Sequence, residues 1–321
     1  MIDADTDNPD IHALLPRLAD DDAGVRRIAL IELADLEDPE GLPWLTAALA
    51  SDDAAEVRAE AARLLEAWEE PEVVQALCAA LADGAEPVRL AAAQSLSELK
   101  SLEAGALILP WVGHAEAFVR ASALRALREL RLEAAAAPAL LALRDAEATV
   151  RREAVGILGW LKHDAAVPAL AQLASDDPDT EVRRAATGAL GLASDAEVLP
   201  ALYAALADGV WQVREEAATT LGKVGLHDAG PALVQALADD YWQVRLRAAR
   251  ALGRLRFREA GNELAALLAH GIANLRKEAA LALGELGDAA ALPVLRAAEA
   301  DGDPEVRKAV RIALAQLQGA A

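Results

Sequence analysis

The run Val213-Arg214-Glu215-Glu216-Ala217-Ala218-Thr219-Thr220-Leu221-Gly222 returns one period later as Val244-Arg245-Leu246-Arg247-Ala248-Ala249-Arg250-Ala251-Leu252-Gly253. Extending the same frame in both directions recovers ten arginines: Arg26, Arg58, Arg89, Arg120, Arg151, Arg183, Arg214, Arg245, Arg276 and Arg307, spaced 31 or 32 residues apart. Valine precedes nine of them and Leu275 the tenth. A period held along the whole chain marks a repeat array, in which each unit buries its apolar face against the next. A chain of 321 residues would ordinarily divide into two or three globular domains. The unbroken period instead predicts a single array over 9–321, after an acidic tail at 1–8.

Counting each arginine as position zero, leucine stands at +7 in all ten repeats and alanine at +3 in nine, with Val310 in the tenth. Apolar residues at +3, +4, +7 and mostly +10 share one face of an α-helix. Upstream, runs such as Pro168-Ala-Leu-Ala-Gln-Leu and Pro231-Ala-Leu-Val-Gln-Ala-Leu read as a first helix opened by proline, where the missing N–H costs nothing. Each repeat is therefore an antiparallel helical hairpin. Aspartate at −6 (Asp20, Asp52, Asp83, Asp145, Asp177, Asp208, Asp239, Asp301) ends the turn between the helices. There it is expected to accept backbone N–H groups and meet its own repeat's arginine, so that stacked copies form a structural ladder. His114 and His270 replace it twice, as alternative turn caps. Glycine at +8 in Gly159, Gly191, Gly222, Gly253 and Gly284 costs a helix about 1 kcal/mol against alanine. Its recurrence predicts close helix approach. Pro110, away from the usual first-turn position, predicts a local kink, and Arg311 at the usually apolar +4 place suits a capping helix.

This alternation of Pro-x-Leu helix, Asp turn and Val-Arg helix resembles the HEAT-like repeats of the phycobilisome-lyase type, over residues 9 to 318. The resemblance implies a right-handed α-solenoid of about ten hairpins whose second helices line the concave face. It leaves function open, because that repeat type includes scaffolds, chromophore lyases and a few enzymes.

The formal charge is −21, from 31 basic and 52 acidic residues. That field repels phosphate backbones and anionic lipid, which argues against nucleic-acid or membrane partners. The amino terminus lacks the basic and apolar regions of a signal peptide, and no apolar run reaches the ~18 residues a span needs, so a cytoplasmic protein is expected. Cys78, the single cysteine, lies in an apolar run and reads as a buried structural thiol.

Solenoids of the deoxyhypusine hydroxylase family hold a di-iron centre with His-Glu pairs just after the repeat's arginine. The matching places here read Arg151-Arg152-Glu153, Arg214-Glu215-Glu216 and Arg276-Lys277-Glu278, with glutamate but no histidine. His12, His114, His163, His227 and His270 are dispersed, which excludes the usual metal-ligand spacings. DNA glycosylases built on related helical repeats resemble the chain only in architecture, and they need a basic surface. No catalytic, cofactor or metal residues are nominated.

The surface departs from its own pattern in one region. Position −3 becomes Trp211 and Trp242 in adjacent repeats, with Tyr241 beside the second, and these two indoles are expected to be neighbours. Trp160 occupies +9, usually polar. Arg247, Arg250 and Arg254 at +2, +5 and +9 form a cationic stripe suited to a carboxylate-rich peptide or acidic cofactor. Glu216 and Glu278, beside Arg247, and Glu285, beside Arg254, supply a competing explanation in inter-repeat ion pairing. Trp160, Trp211, Tyr241, Trp242, Arg247, Arg250 and Arg254 thus make the candidate partner-binding surface. The preferred reading is a non-catalytic interaction scaffold or chaperone-like adaptor, binding a protein or peptide on its concave face without a cofactor. A chromophore lyase or cofactor-handling protein, with the tryptophans as platform, is the alternative. A metal hydroxylase is the third.

Overall fold

The computed structural model describes residues 6–192 and 196–319, which contain twenty α-helices and no strand. The chain divides into two compact units, residues 1–161 and 162–321. The first holds α1 (Pro9–Leu18), α2 (Ala23–Ala34), α3 (Leu42–Ser51), α4 (Ala55–Leu64), α5 (Pro71–Ala80), α6 (Glu86–Glu98), α7 (Leu102–Ile108), α8 (Ala117–Leu130), α9 (Ala136–Ala142) and α10 (Ala148–Trp160). The second holds α11 (Val167–Asp176), α12 (Thr180–Ala189), α13 (Leu199–Leu206), α14 (Trp211–Val224), α15 (Gly230–Ala236), α16 (Trp242–Leu255), α17 (Gly261–Leu267), α18 (Ala273–Leu286), α19 (Leu292–Ala297) and α20 (Pro304–Gly319). Odd-numbered helices open each hairpin and even-numbered ones close it.

Second helices stack in register: α2 on α4, α4 on α6, α6 on α8 and α8 on α10 in the first unit, then α12 on α14, α14 on α16, α16 on α18 and α18 on α20 in the second. The chain is thus an all-α solenoid of stacked hairpins. Leucine at +7 is buried in all ten repeats and alanine at +3 in all nine that carry it. Burying each leucine contributes about 1.5–3 kcal/mol, and alanine beside it lets the neighbouring backbone come close. Where approach is closest, even alanine is too large. A Cβ on Gly253 would stand 2.9 Å from Ala282 Cα, and one on Gly284 would stand 2.7 Å from Ala313 Cα. The helix-propensity cost of these glycines is offset by contact that no larger residue permits.

Prolines open α3, α5, α11, α13, α15 and α19 within the first turn, as the sequence pattern predicts. Pro110 acts differently: α7 stops at Ile108 and the chain tightens into a 3-10 turn over Leu109–Gly113, the kink expected there. Of the tail placed at 1–8, residues 1–5 lie outside the described residues. Asn8 caps α1 through its side chain, accepting from the N–H groups of Asp10 and Ile11. Arg311 is exposed on α20. Cys78 is fully buried, and burial pushes its thiol up to about 12, which makes it inert at neutral pH. No helix among the described residues is long and apolar enough to cross a membrane.

Candidate functional site

The repeat arginines must be assigned before any surface can be called functional, since they carry most of the strong ion pairs. The repeat arginines reach back to their own turn, but to the backbone carbonyl, through Nη1 in every repeat except that of Arg245, which uses Nε and Nη2. Arg58 donates to Asp52 O at 2.8 Å and Arg214 to Asp208 O at 2.9 Å. Where the following repeat carries the turn aspartate, the remaining nitrogens grip it; where it carries His270, Arg245 Nη1 stands 3.3 Å from the ring Nε2. Arg58 donates to both Asp83 oxygens at 2.8 and 2.9 Å, and Arg183 to those of Asp208 at 2.7 and 3.2 Å. Arg26–Asp52, Arg120–Asp145, Arg214–Asp239 and Arg276–Asp301 repeat the arrangement. The expected pairing of aspartate with its own repeat's arginine is therefore corrected to pairing across the repeat boundary. An arginine at helix position zero points along the stack, and only its inner nitrogen faces its own turn.

The same aspartates receive the N–H two residues on, as Asp208 does from Val210 at 2.8 Å and Asp301 from Asp303 at 2.8 Å. Where histidine substitutes, Nδ1 takes over that acceptor role, for Glu116 N–H at His114 and Ile272 N–H at His270, both at 3.1 Å. The turn-cap reading of these histidines holds. The arginine bonds hold Asp83 and Asp145 below the usual carboxylate range, and Arg276 with the Asp303 N–H draws Asp301 down to about 2. A carboxylate depressed in the folded state stabilises it above the unfolded pKa of about 3.9, and the contribution is lost as pH falls through the folded value. The thermal midpoint should accordingly be level from neutral pH to about pH 5 and then fall steadily toward pH 2. An Asp301→Asn variant should show a shallower fall when followed by circular dichroism. An equal slope in both proteins would refute this assignment.

Against that ladder, the candidate surface is only partly assembled. Trp211 and Trp242 head α14 and α16, both half-buried. The ring on Trp211 is Tyr241, stacked at 5.5 Å and 13°, and the Arg214 guanidinium lies 5.6 Å from the Tyr241 ring. Trp242 stacks on no aromatic ring among the described residues, so the expected indole pair is replaced by an indole–phenol pair. One repeat of stacking brings −4 of the next unit, rather than −3, over the first indole. Tyr241 is 46% exposed.

The arginine stripe is largely neutralised. Arg247 bonds Glu215 at 2.9 Å, not Glu216 or Glu278, while Arg250 makes a two-pronged bond to Glu278 at 2.9 and 2.6 Å. Arg254 stays exposed with no hydrogen bond among the described residues, its charge felt by Glu285. Glu285 is nevertheless raised, by burial first and then by Glu278. Trp242 and Arg254 lie at opposite ends of α16, roughly 18 Å apart at 1.5 Å per residue. Trp160 belongs to the first unit, at the end of α10. It is 51% exposed, with the Arg131 guanidinium 4.4 Å from its ring.

Two features escaped the sequence pattern. Glu153 on α10 is only 3% exposed and accepts from Arg128 at 2.8 Å, Arg125 at 3.2 Å and Arg152 at 3.5 Å. Its signal was present, since Arg125 at +5 and Glu153 at +2 of the next repeat share the offset of Arg250 and Glu278. A groove of about 650 Å³ also opens beside α1 and α3, lined by Leu15, Leu18, Trp44, Ala47 and Ala48 with the paired Arg26 and Asp52. Nothing in the repeat pattern marks it. Among the described residues, no three His, Cys, Asp or Glu side chains are grouped to hold a metal ion.

Stacked hairpins joined by an inter-repeat Arg–Asp ladder define a helical-repeat protein. The sequence matches the HEAT-repeat family over residues 11–97, 106–190, 137–222, 167–243 and 230–315, and the chain belongs to that family. No curated protein matches the sequence. Among solved structures, an engineered protein is 22% identical over 97% of this chain and 99% of its own, with a TM-score of 0.55. YibA of E. coli is 22% identical over 84% of this chain and 98% of its own, at 0.61. The karyopherin Kap121p, bound to the extreme C-terminus of the protein phosphatase Cdc14p, is 15% identical over 99% of this chain and 42% of its own, at 0.69. The chain thus spans less than half of that karyopherin, and at these identities the likeness is one of fold.

Proposed function

We propose that this HEAT-repeat chain is a non-catalytic scaffold that holds an extended protein or peptide segment along its second-helix face, the concave side of such arrays. The carrying observation is that aromatic and cationic groups stand on the surface where the repeat pattern would place small polar residues, spread along α16 rather than gathered around one reaction centre. Stacked Trp211 and Tyr241 offer rigid contact area at little rotamer cost, and Arg254 offers an unbonded cation. Kap121p, of similar fold, is seen holding the terminus of another protein, which supports the same use of the architecture. The finer kinship with phycobilisome-lyase repeats rests on the Val-Arg and Pro-x-Leu pattern, and the cytoplasmic location on composition. Both belong to this proposal, as does the treatment of 9–321 as one array.

The test starts from a partner captured from the source organism, identified and purified. Trp211→Ala with Tyr241→Ala should weaken its binding at least about tenfold, consistent with aromatic hot spots. Arg250→Glu with Arg254→Glu should weaken it and flatten its salt dependence. Wild-type affinity in both folded double variants would move the site off this face.

A further inference from the structure

Among the described residues, the Arg–Glu bridge between neighbouring second helices occurs twice in the same register, with different charge balance. On α14, α16 and α18, Arg247, Arg250 and Arg254 face Glu215, Glu278 and Glu285, a balanced set. On α8 and α10, Arg125, Arg128 and Arg152 share two carboxylates, Glu129 and the buried Glu153. Gly156 makes the crowding possible: a Cβ there would come within 2.9 Å of Arg128 Cδ, so the Arg128 chain crosses the bare turn to reach Glu153. The bonds that result are unequal. Arg128 is held at 2.8 Å, while Arg125 and Arg152 sit at 3.2 and 3.5 Å from one oxygen and remain 46% and 39% exposed. Beside them Trp160 is half-exposed, with the Arg131 guanidinium against its ring.

We propose that this patch of Arg125, Arg128, Arg152 and Trp160 on α8 and α10 binds a short acidic peptide segment, its carboxylates on the loosely held guanidiniums and an adjoining apolar side chain on the indole. The inference rests on the scaffold reading above and names its partner's chemistry for a separate surface. One carboxylate cannot saturate three guanidiniums, each with five N–H donors in a fork matched to carboxylate geometry. Glu153 thereby holds the arginines in place and leaves donors directed outward. A short carboxylate segment meets the local excess of positive charge, whereas a long phosphate backbone would run out into the field of a chain of charge −21.

The experiment is calorimetric titration of the full chain at low salt with a blocked peptide of Glu and Asp around one Leu. Its Gln and Asn counterpart and a single-stranded oligonucleotide serve as comparison ligands. The acidic peptide should bind, with the neutral peptide and the oligonucleotide at least about tenfold weaker, and its affinity should fall as salt shortens the screening length. Arg125→Gln with Arg152→Gln should lower affinity at least about tenfold. Arg144→Gln with Arg296→Gln, the same change of charge at two exposed arginines that are not members of the patch, should leave it within about twofold. Glu153→Gln releases the arginines and should tighten binding severalfold. That variant separates recognition from packing, because a purely structural bridge loses stability on its removal and gains no ligand. Where the double arginine variant does not fold, Arg152→Gln, which gives up only the longest bond, should still show a measurable loss. Absence of peptide binding by the wild type, equal losses from the two double variants, or unchanged affinity in folded Glu153→Gln would each overturn the proposal. A captured partner that binds normally while the peptide does not would overturn this inference alone. Failure of both would remove the scaffold reading as well.

Discussion

Asp208→Ala is expected to lower stability by about 1–3 kcal/mol, because the change removes a two-pronged charge-assisted bond to Arg183 and leaves the Val210 N–H without its acceptor. The pair is mostly shielded, with side-chain exposures of 15% and 9%, so the loss exceeds that of an exposed surface pair. The informative measurement is a pair of double-mutant cycles by urea unfolding. Arg183→Ala and Asp208→Ala should couple by about 1 kcal/mol or more, since their side chains touch. Arg214→Ala and Asp208→Ala should be close to additive, because Arg214 reaches only the Asp208 carbonyl, which alanine retains. Stronger coupling within the repeat than across it would mean that the ladder has been assigned in the wrong register. Asp208→Asn keeps the turn acceptor and should recover part of the loss.

A larger loss is expected from Gly253→Val, about 3 kcal/mol or more. On propensity alone the substitution would help, since glycine costs a helix interior more than valine does. Packing reverses the sign, because the first added carbon meets the Ala282 backbone at 2.9 Å and the Glu285 carboxylate at 2.7 Å. A flexible Glu285 end can swing aside, but the α18 backbone yields only by separating two stacked repeats. Gly271→Val serves as the comparison, as nothing stands within 4 Å of a Cβ there. If both variants unfold at the same denaturant concentration, close approach is not the reason for glycine at +8.

The candidate surface was legible in its parts and not in its assembly. Trp211, Tyr241 and Trp242 stand out as breaks in a repeating position, and the turn-cap role of His114 and His270 follows from their occupying the aspartate place. Which ring lies on which depends on the offset between stacked repeats. That offset put Tyr241, rather than Trp242, on Trp211. The fate of the arginines was equally hidden: Arg247, Arg250 and Arg254 look alike in sequence, yet two are bound by Glu215 and Glu278 and the third is not. The Glu153 cluster does not stand out in any one repeat, because its members come from two and neither departs far from the pattern.

By itself the sequence determined the fold class, the number and order of hairpins, the buried leucine and alanine rows, and the need for glycine at +8, because these follow from a period and a helical face that any one repeat already displays. Only the tertiary structure decided that the repeat arginines grip the aspartate of the following repeat rather than their own, and that the charge on α8 and α10 is left in excess while that on α16 is largely neutralised. The physical reason is the same in each case: an ion pair or a ring stack is fixed by the displacement of one helix along its neighbour, and that displacement is set by side-chain packing between repeats rather than by anything written within one of them.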